Sequence, residues 1–175
     1  MRRKAWLGPV AMQILSVAIA SPTIARASTA EKPLATQHFF CNTGYKLDPC
    51  LEQIAKLKTV VAKFPTEALG EWTWVLVRSQ DWKQLLETLK LNPDSPAFTC
   101  LETKTTFIEE VLVASVPHRG SELIARWHMG ITELLNYAVE HEMGHAICHS
   151  LSENEANQVA RILEQQRSLS CQARL

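Results

Sequence analysis

Two histidines and a glutamate at helical spacing are the residues of this chain best suited to chemistry. They are His141, Glu142 and His145, within the run Glu-His-Glu-Met-Gly-His at residues 140–145. Residues four apart lie about one turn apart on one helix face, so both imidazoles can point at one ion. Imidazole nitrogens bind zinc at about 2.0–2.1 Å, and the intervening glutamate can reach a water beside the metal. The spacing therefore predicts a Zn²⁺ site with ligands His141 and His145 and with Glu142 as general base.

A catalytic zinc ion needs a third protein ligand, and two glutamates follow the second histidine closely. Glu153 and Glu155 both come just after Ser152. Ser152 and Glu155 have the spacing of a capping box, which predicts that a helix begins here and that the Glu155 side chain caps its amino end rather than binding metal. His149 continues the four-residue spacing, but it would sit one turn too far along to share the ion. Glu153 and Glu155 are therefore the two candidates.

This arrangement resembles the gluzincin peptidases, the thermolysin-like family in which a glutamate of the following helix completes a His-Glu-x-x-His zinc site. In that family an aspartate or asparagine often follows the ligand glutamate by four residues and supports a histidine. Asn157 follows Glu153 at that distance, whereas Val159 follows Glu155. The resemblance therefore implies Glu153 as the ligand, Glu155 as the alternative and Asn157 in the supporting position.

The resemblance covers about residues 72–166 and implies a zincin-like α+β fold. Its parts would be a small antiparallel sheet, an active-site helix and a following glutamate helix. The implied activity is hydrolysis of peptide bonds in a peptide or protein substrate by metal-activated water, with Glu142 as the base. The substrate would lie extended along an edge strand, for which residues 105–113 are the candidate. Candidates for an oxyanion donor or a carboxylate-binding group are Tyr137, His118, His128 and Arg119.

The elements that must position these residues follow from periodicity. Apolar residues recur at helical spacing in residues 51–64, 82–89, 124–138 and 156–163, with a break expected at Gly130. Asp48 and Asp81 are the expected N-caps of the first two helices. Residues 72–77 and 105–108 are rich in β-branched and aromatic residues and are predicted strands, the second extending at most to residue 113. We expect a single zincin-like domain over residues 48–166, after an N-terminal segment (28–47) and before a C-terminal tail (167–175).

The first 27 residues have the layout of a secretory signal peptide. Three basic residues at positions 2–4 precede an apolar stretch, and Ala25 and Ala27 form a small-x-small cleavage site. The apolar stretch is shorter than the roughly 20 residues that a membrane-spanning helix needs, and no second one follows. We expect cleavage after Ala27, no membrane span afterwards, and a secreted or periplasmic protein.

The composition of the chain narrows the class of protein. Of its 175 residues, 46% are hydrophobic, and 18 basic residues balance 18 acidic ones. Removal of residues 1–27 takes away four basic residues and no acidic one, which leaves a net charge of −4. This composition argues against a disordered chain, and the lack of a basic excess argues against a nucleic-acid partner.

Export would allow the cysteines to form disulfide bonds, and all of them follow residue 27. Cys41 and Cys50 close a short loop and are the first expected pair. If the edge strand implied by the resemblance lies above the metal helix, Cys100 and Cys148 come close together and form the second pair. Cys171 would then remain without a partner within the chain.

A different class of function fits the same sequence. The chain is short, and only seven residues separate His145 from Glu153. An exported, non-catalytic binding or inhibitory module with a zincin-like fold is therefore the alternative. Metal content distinguishes the two hypotheses.

Overall fold

The computed structural model describes residues 37–165 and Cys171, which form five helices and four strands. The strands are β1 (Gln37–Cys41), β2 (Trp72–Val77), β3 (Ala97–Cys100) and β4 (Thr105–Glu109). The helices are α1 (Leu47–Val61), α2 (Ser79–Leu89), α3 (Pro117–Trp127), α4 (Ile131–Cys148) and α5 (Glu153–Glu164). Single 3₁₀ turns cover Thr66–Ala68 and Glu110–Leu112. The expected signal peptide lies outside the described residues, as does the expected tail apart from Cys171.

The four strands form one mixed sheet in the order β1-β2-β4-β3. β1, β2 and β4 run parallel, and β3 is antiparallel to β4. The α+β class is confirmed, but the expectation of an antiparallel sheet was wrong. The reason lies in the connections, because α1 carries the chain back between β1 and β2 and only the turn at 101–104 is short enough for an antiparallel hairpin.

The strand predicted from Thr105 is confirmed as β4, but the edge strand beside the later helices is β3, so the expectation that residues 105–113 form that edge was wrong. β4 ends at Glu109 and lies between β2 and β3. The chain turns away there because the buried Glu109 carboxylate pairs with Arg119 and a 3₁₀ turn follows. β1 and β3 themselves were not predicted, since each is short and is defined by its pairing with a neighbour.

The two faces of the sheet belong to different cores. Trp72, Trp74 and Leu76 of β2 pack in the larger core, which includes residues of α1 and α4. Val75 and Val77 point to the opposite face, where Trp82 and Leu86 of α2 cover the sheet. The alternation of side chains along a strand explains this division.

The helix boundaries depart from the expected caps at two places, the starts of α1 and α2. α1 begins at Leu47 rather than after Asp48, and α2 begins at Ser79, so that Asp81 lies in its first turn and pairs with Arg78. The expected break at Gly130 is present as a full separation of α3 from α4. His128 ends α3 in the left-handed conformation with φ of 55°, and Gly130 caps α4.

Two disulfide bonds join Cys41 to Cys50 and Cys148 to Cys171. The first pair is confirmed, and the expected Cys100–Cys148 pair was wrong. Thr99 of β3 lies against α4, with its hydroxyl 3.5 Å from the Glu142 carbonyl oxygen, while its neighbour Phe98 stacks on Phe107 on the α2 face. Cys100 follows the alternation onto the Phe98 side, away from α4.

No helix within the described residues is both long enough and apolar enough to cross a membrane. All of these residues fall within one unit of the chain, Glu31–Leu175.

Candidate metal site

Helix α4 presents the two histidines and the glutamate at the edge of the larger core. Apolar side chains of the same helix, among them Leu134, Val139 and Met143, are fully buried and fix its orientation. His145 and Glu142 are also buried, with 6% and 4% of their surfaces exposed. Such burial of polar side chains is uncommon unless they bind a partner.

A close contact between α4 and α5 brings the next helix to the histidines. A Cβ atom on Gly144 would lie 2.7 Å from the backbone oxygen of Ala156 and 2.8 Å from its Cα, so only glycine allows this approach. His149 ends α4 in the left-handed conformation, and Ser152 caps α5 by accepting a hydrogen bond from the Glu155 backbone N–H. The tight turn thus places the start of α5 beside the end of α4.

The side chains of His141, His145 and Glu153 meet at this junction. The two Nε2 atoms are 3.2 Å apart. Glu153 places Oε2 at 3.0 Å from Nε2 of His141 and Oε1 at 3.7 Å from Nε2 of His145. Four ligands at about 2.05 Å in a tetrahedron stand about 3.3 Å from one another, so the observed spacing fits a zinc-sized ion.

The opposite nitrogen of each imidazole faces an acceptor. Nδ1 of His141 lies 3.1 Å from Oδ1 of Asn157, and Nδ1 of His145 lies 2.7 Å from the Ser150 carbonyl oxygen. An acceptor at Nδ1 favours the tautomer with the proton on that nitrogen, which leaves each Nε2 lone pair available to a cation. Burial, and to a lesser extent the neighbouring His145, lowers the pKa of His141. The charged, doubly protonated form of this imidazole is therefore disfavoured. Three acceptors converging in this way fit a divalent cation.

Glu142 lies beside this group with an unsatisfied carboxyl oxygen. Its Oε2 is buried and has no hydrogen-bond partner in the described part of the chain. Burial raises the pKa of Glu142 to about 8, and the charge of Glu153 adds to the effect. A buried carboxyl group of this kind is suited to take up and release a proton near neutral pH.

Two adjoining cavities open at the site, with volumes of about 430 and 320 Å³. His141, Glu142 and Glu153 line both of them. The larger cavity extends toward Trp127 and Tyr137, and the smaller extends along β3 and past His145. The outer edge of β3 pairs with no strand within residues 37–165. An extended peptide can therefore pair with this edge and pass beside His141, His145 and Glu153.

The structure separates the two candidate third ligands. Glu153 lies at the histidine pair, whereas Glu155 forms a different group with Cys148 and Cys171, whose sulfurs are joined to each other. Asn157 stands at His141, as the resemblance implied. His149 caps the helix instead of extending its histidine face.

The four candidates for oxyanion or carboxylate binding have other surroundings. The Tyr137 hydroxyl donates to Oδ1 of Asn157 over 2.9 Å. Arg119 binds the buried Glu109 carboxylate at 2.9 Å and lines neither of the two cavities. His118 and His128 line neither cavity, and His118 pairs with Glu122 at 3.3 Å.

Sequence reasoning missed two groups that shape the site. Ser150 orients His145 through a backbone oxygen, and no side-chain pattern can reveal such a contact. Trp127 forms a wall of the larger cavity at the end of α3. Its helical spacing indicated a core residue, and the break at Gly130 was the signal that the chain turns there.

Comparison of this chain with protein-family models, with curated proteins and with solved structures finds no match of any of the three kinds. The function is therefore argued from the site itself.

Proposed function

We propose that this protein is an exported, zinc-dependent peptidase. His141, His145 and Glu153 would hold the ion, Asn157 would orient His141, and Glu142 would act as general base. A peptide substrate would lie along β3. The two disulfide bonds indicate an oxidising environment, which supports the export predicted from residues 1–27.

The observation that carries the proposal is the convergence of two imidazole nitrogens and one carboxylate. The other nitrogen of each imidazole already faces a hydrogen-bond acceptor. Nε2 of His141 and Nε2 of His145 are 3.2 Å apart, and they lie 3.0 and 3.7 Å from the Glu153 carboxylate oxygens. Lone pairs at this distance repel unless a cation lies among them. Two imidazoles and one carboxylate are a ligand set that zinc takes in catalytic sites, with a fourth position left open.

Different parts of the site would have different roles in the reaction. A zinc ion held here would supply Lewis-acid polarisation of a substrate carbonyl and would make a water more acidic. Glu142, at the wall shared by both cavities, can take the proton of the attacking water and deliver it to the leaving amine. The free edge of β3 can hold the substrate backbone by main-chain hydrogen bonds.

Metal analysis of the purified protein tests the ligand set. We expect about one zinc per chain in the wild type and in Glu155→Ala, and loss of zinc in His141→Ala and Glu153→Ala. Removal of a ligand takes away a bond that no neighbouring side chain replaces. Zinc retained by Glu153→Ala and lost by Glu155→Ala would contradict the assignment, as would a wild-type protein that binds no zinc after dialysis against the ion.

Turnover of a peptide library tests the activity. We expect Glu142→Gln to keep its zinc and its thermal stability while kcat/KM falls by about 100- to 10 000-fold, the usual contribution of a general base. Equal activity of the wild type and Glu142→Gln would refute this mechanism.

One observation favours the non-catalytic module as the second candidate. In the described structure, Tyr137 donates its hydroxyl proton to Asn157, and His118 and His128 line neither cavity, so none of the three presents a donor to an oxyanion. A zinc-loaded wild type that binds peptides and cleaves none of them would support the module over the peptidase.

A further inference from the structure

The two cavities form one trough that continues on both sides of the proposed reaction centre. The larger cavity borders Tyr137 and Ala138, which precede the histidines on α4, and the smaller borders His145. From Tyr137 to His145 the helix advances about 12 Å at 1.5 Å per residue. β3 follows the same direction, with Pro96 at the larger cavity and Thr99 at the smaller. The trough therefore has the length of about four extended residues.

Neither end of the trough offers a partner for the charged end of a peptide. Among the described residues that line the two cavities there is no lysine and no arginine. Arg161, whose charge affects Tyr137, lies outside the lining. At the other end, Leu151 borders the smaller cavity with 75% of its surface exposed. A carboxylate would meet no cation here, and both oxygens of Glu153 face the histidines rather than a substrate amine.

The larger cavity has aromatic walls with few free polar groups. The rings of Trp127 and Tyr137 are tilted by 49°, with centroids 6.0 Å apart. The indole N–H of Trp127 donates to the Asp94 carbonyl oxygen, and the Tyr137 hydroxyl donates to Asn157. Ala138, with its small side chain, lines the same cavity next to this aromatic pair. A third ring fits such surroundings because aromatic groups pack at centroid distances of about 4.5–7 Å.

Acidic side chains are disfavoured in the same place. Glu142 and Glu153 line the larger cavity, and its described lining contains no lysine or arginine; the proposed zinc ion would offset the charge of its ligand Glu153 but leaves Glu142 as a carboxylate. A substrate aspartate would lose its hydration and meet a carboxylate of like charge.

From these features we infer that the trough binds internal stretches of an extended polypeptide, with an aromatic side chain in the cavity beside the Trp127–Tyr137 pair. If the proposed peptidase function holds, on which this inference rests, the protein is an endopeptidase that needs neither a free amino nor a free carboxyl terminus. Its substrates carry an aromatic residue at one fixed position beside the cleaved bond.

A set of short peptides tests the inference on the full chain with both disulfides formed. The parent peptide has acetyl and amide ends and one central phenylalanine, and its relatives replace that residue with alanine or aspartate or leave one terminus free. We expect the blocked phenylalanine peptide to be cleaved at one internal bond, with kcat/KM at least tenfold higher than for the aspartate peptide. Cleavage that requires a free terminus, or equal rates with phenylalanine and aspartate, would overturn the inference.

Binding to zinc-loaded Glu142→Gln gives a second readout that does not depend on turnover. Calorimetry should show at least tenfold tighter binding of the blocked phenylalanine peptide than of the aspartate peptide. Trp127→Ala in the same background should remove that preference, whereas Phe40→Ala should keep it, because Phe40 is an exposed aromatic residue on the distant strand β1. A preference that survives Trp127→Ala in a folded protein would contradict the assignment of the aromatic pocket.

These outcomes separate the two proposals. A protein without zinc, or a Glu142→Gln variant as active as the wild type, disproves the proposed chemistry. A zinc-dependent activity confined to chain ends disproves only the inference about the trough. Selective peptide binding without cleavage keeps the trough and favours the non-catalytic module.

Discussion

Tyr137 influences His141 through an intermediate side chain. Its hydroxyl donates to Asn157 Oδ1, and the same oxygen faces the Nδ1 of His141. An amide that accepts two hydrogen bonds is held in one rotamer, and its orientation fixes the tautomer of the imidazole. The hydroxyl thus keeps the Nε2 lone pair of His141 directed at Glu153.

We expect Tyr137→Phe to weaken zinc binding by up to about tenfold, because removal of a supporting hydrogen bond usually costs 10- to 100-fold when it contacts the ligand directly. Competition with a chelating dye measures the zinc affinity. Tyr45→Phe is the matched control, since these are the two tyrosines of the chain and the Tyr45 hydroxyl is buried without a partner among the described residues. An unchanged affinity in Tyr137→Phe would exclude this role.

The residues of the site were largely predictable because their spacing is local. The two histidines are one helical turn apart, and the capping pattern at Ser152 matches the observed start of α5, with Glu153 beside His141. The surroundings of Arg119 were not predictable, since its partner Glu109 is on a strand and the pair exists only after the sheet has formed.

The junction of α4 and α5 is the element on which the site depends. Ligands from two helices can share an ion only if the helix axes come close, and Gly144 provides that approach against Ala156. Ala156, Val159 and Ala160 on the facing side of α5 are buried. Small side chains on both helices therefore determine how near Glu153 stands to the histidines.

A methyl group at residue 144 should displace α5. We expect Gly144→Ala to destabilise the protein by about 1–3 kcal/mol, because the new Cβ would meet the Ala156 backbone, and to weaken zinc binding as well. Urea unfolding and zinc titration measure the two effects. Gly120→Ala is the control, since its Cβ would meet Val111 at an ordinary 3.7 Å and alanine favours a helix. Equal stability of the two variants would contradict the close contact.

A buried ion pair joins the end of β4 to α3. Glu109 is fully buried, and Arg119 contacts both of its oxygens. Burial raises the pKa of Glu109 although Arg119 opposes the rise. Because the folded-state pKa lies above the unfolded one, the folded state holds the proton more firmly, and stability from this group falls as pH rises through that interval.

Loss of the arginine should make this pH dependence steeper. We expect Arg119→Met to lose about 3–5 kcal/mol at pH 7–8, where Glu109 is left charged and alone, and to lose much less near pH 4, where the carboxyl is protonated. Urea unfolding at several pH values measures the difference. The double variant Glu109→Gln, Arg119→Met should recover most of the loss at pH 8. A deficit that does not change with pH would contradict the buried charge as its cause.

Sequence patterns predicted best the elements whose formation depends on neighbouring residues in the chain. The strand Trp72–Val77 was predicted with its observed bounds because its β-branched and aromatic residues are contiguous. β3 consists of Ala97–Cys100 after a proline, and only its pairing with β4 makes it a strand. Strand order and parallel direction likewise arise from contacts between distant parts of the chain.

At the scale of the whole molecule, two disulfide bonds constrain the two ends of the described chain. Cys41–Cys50 ties the end of β1 to the first turn of α1, and Cys148–Cys171 ties the end of α4 to residues beyond α5. They close loops with sequence separations of 9 and 23 residues. A crosslink stabilises mainly by restricting the unfolded chain, and more so for a longer loop.

We expect replacement of Cys148 and Cys171 by serine to lower the free energy of unfolding by about 3.4 kcal/mol, and replacement of Cys41 and Cys50 to lower it by about 2.6 kcal/mol. Denaturant unfolding measures both. Cys100→Ser is the control, since Cys100 forms no disulfide within the described chain. A stability of the Cys148, Cys171 variant equal to that of the control would show that this crosslink does not restrain the unfolded chain.

The opposite orientation of Cys100 has a consequence for how the protein matures. Synthesis proceeds from the amino end, so Cys100 and Cys148 both emerge while Cys171 is still to be made. At that stage Cys100 and Cys148 can form a non-native disulfide bond, unless the β3–β4 hairpin forms first and turns Cys100 toward α2. Closure of that hairpin before the crosslink forms would leave the thiol of Cys148 available for Cys171.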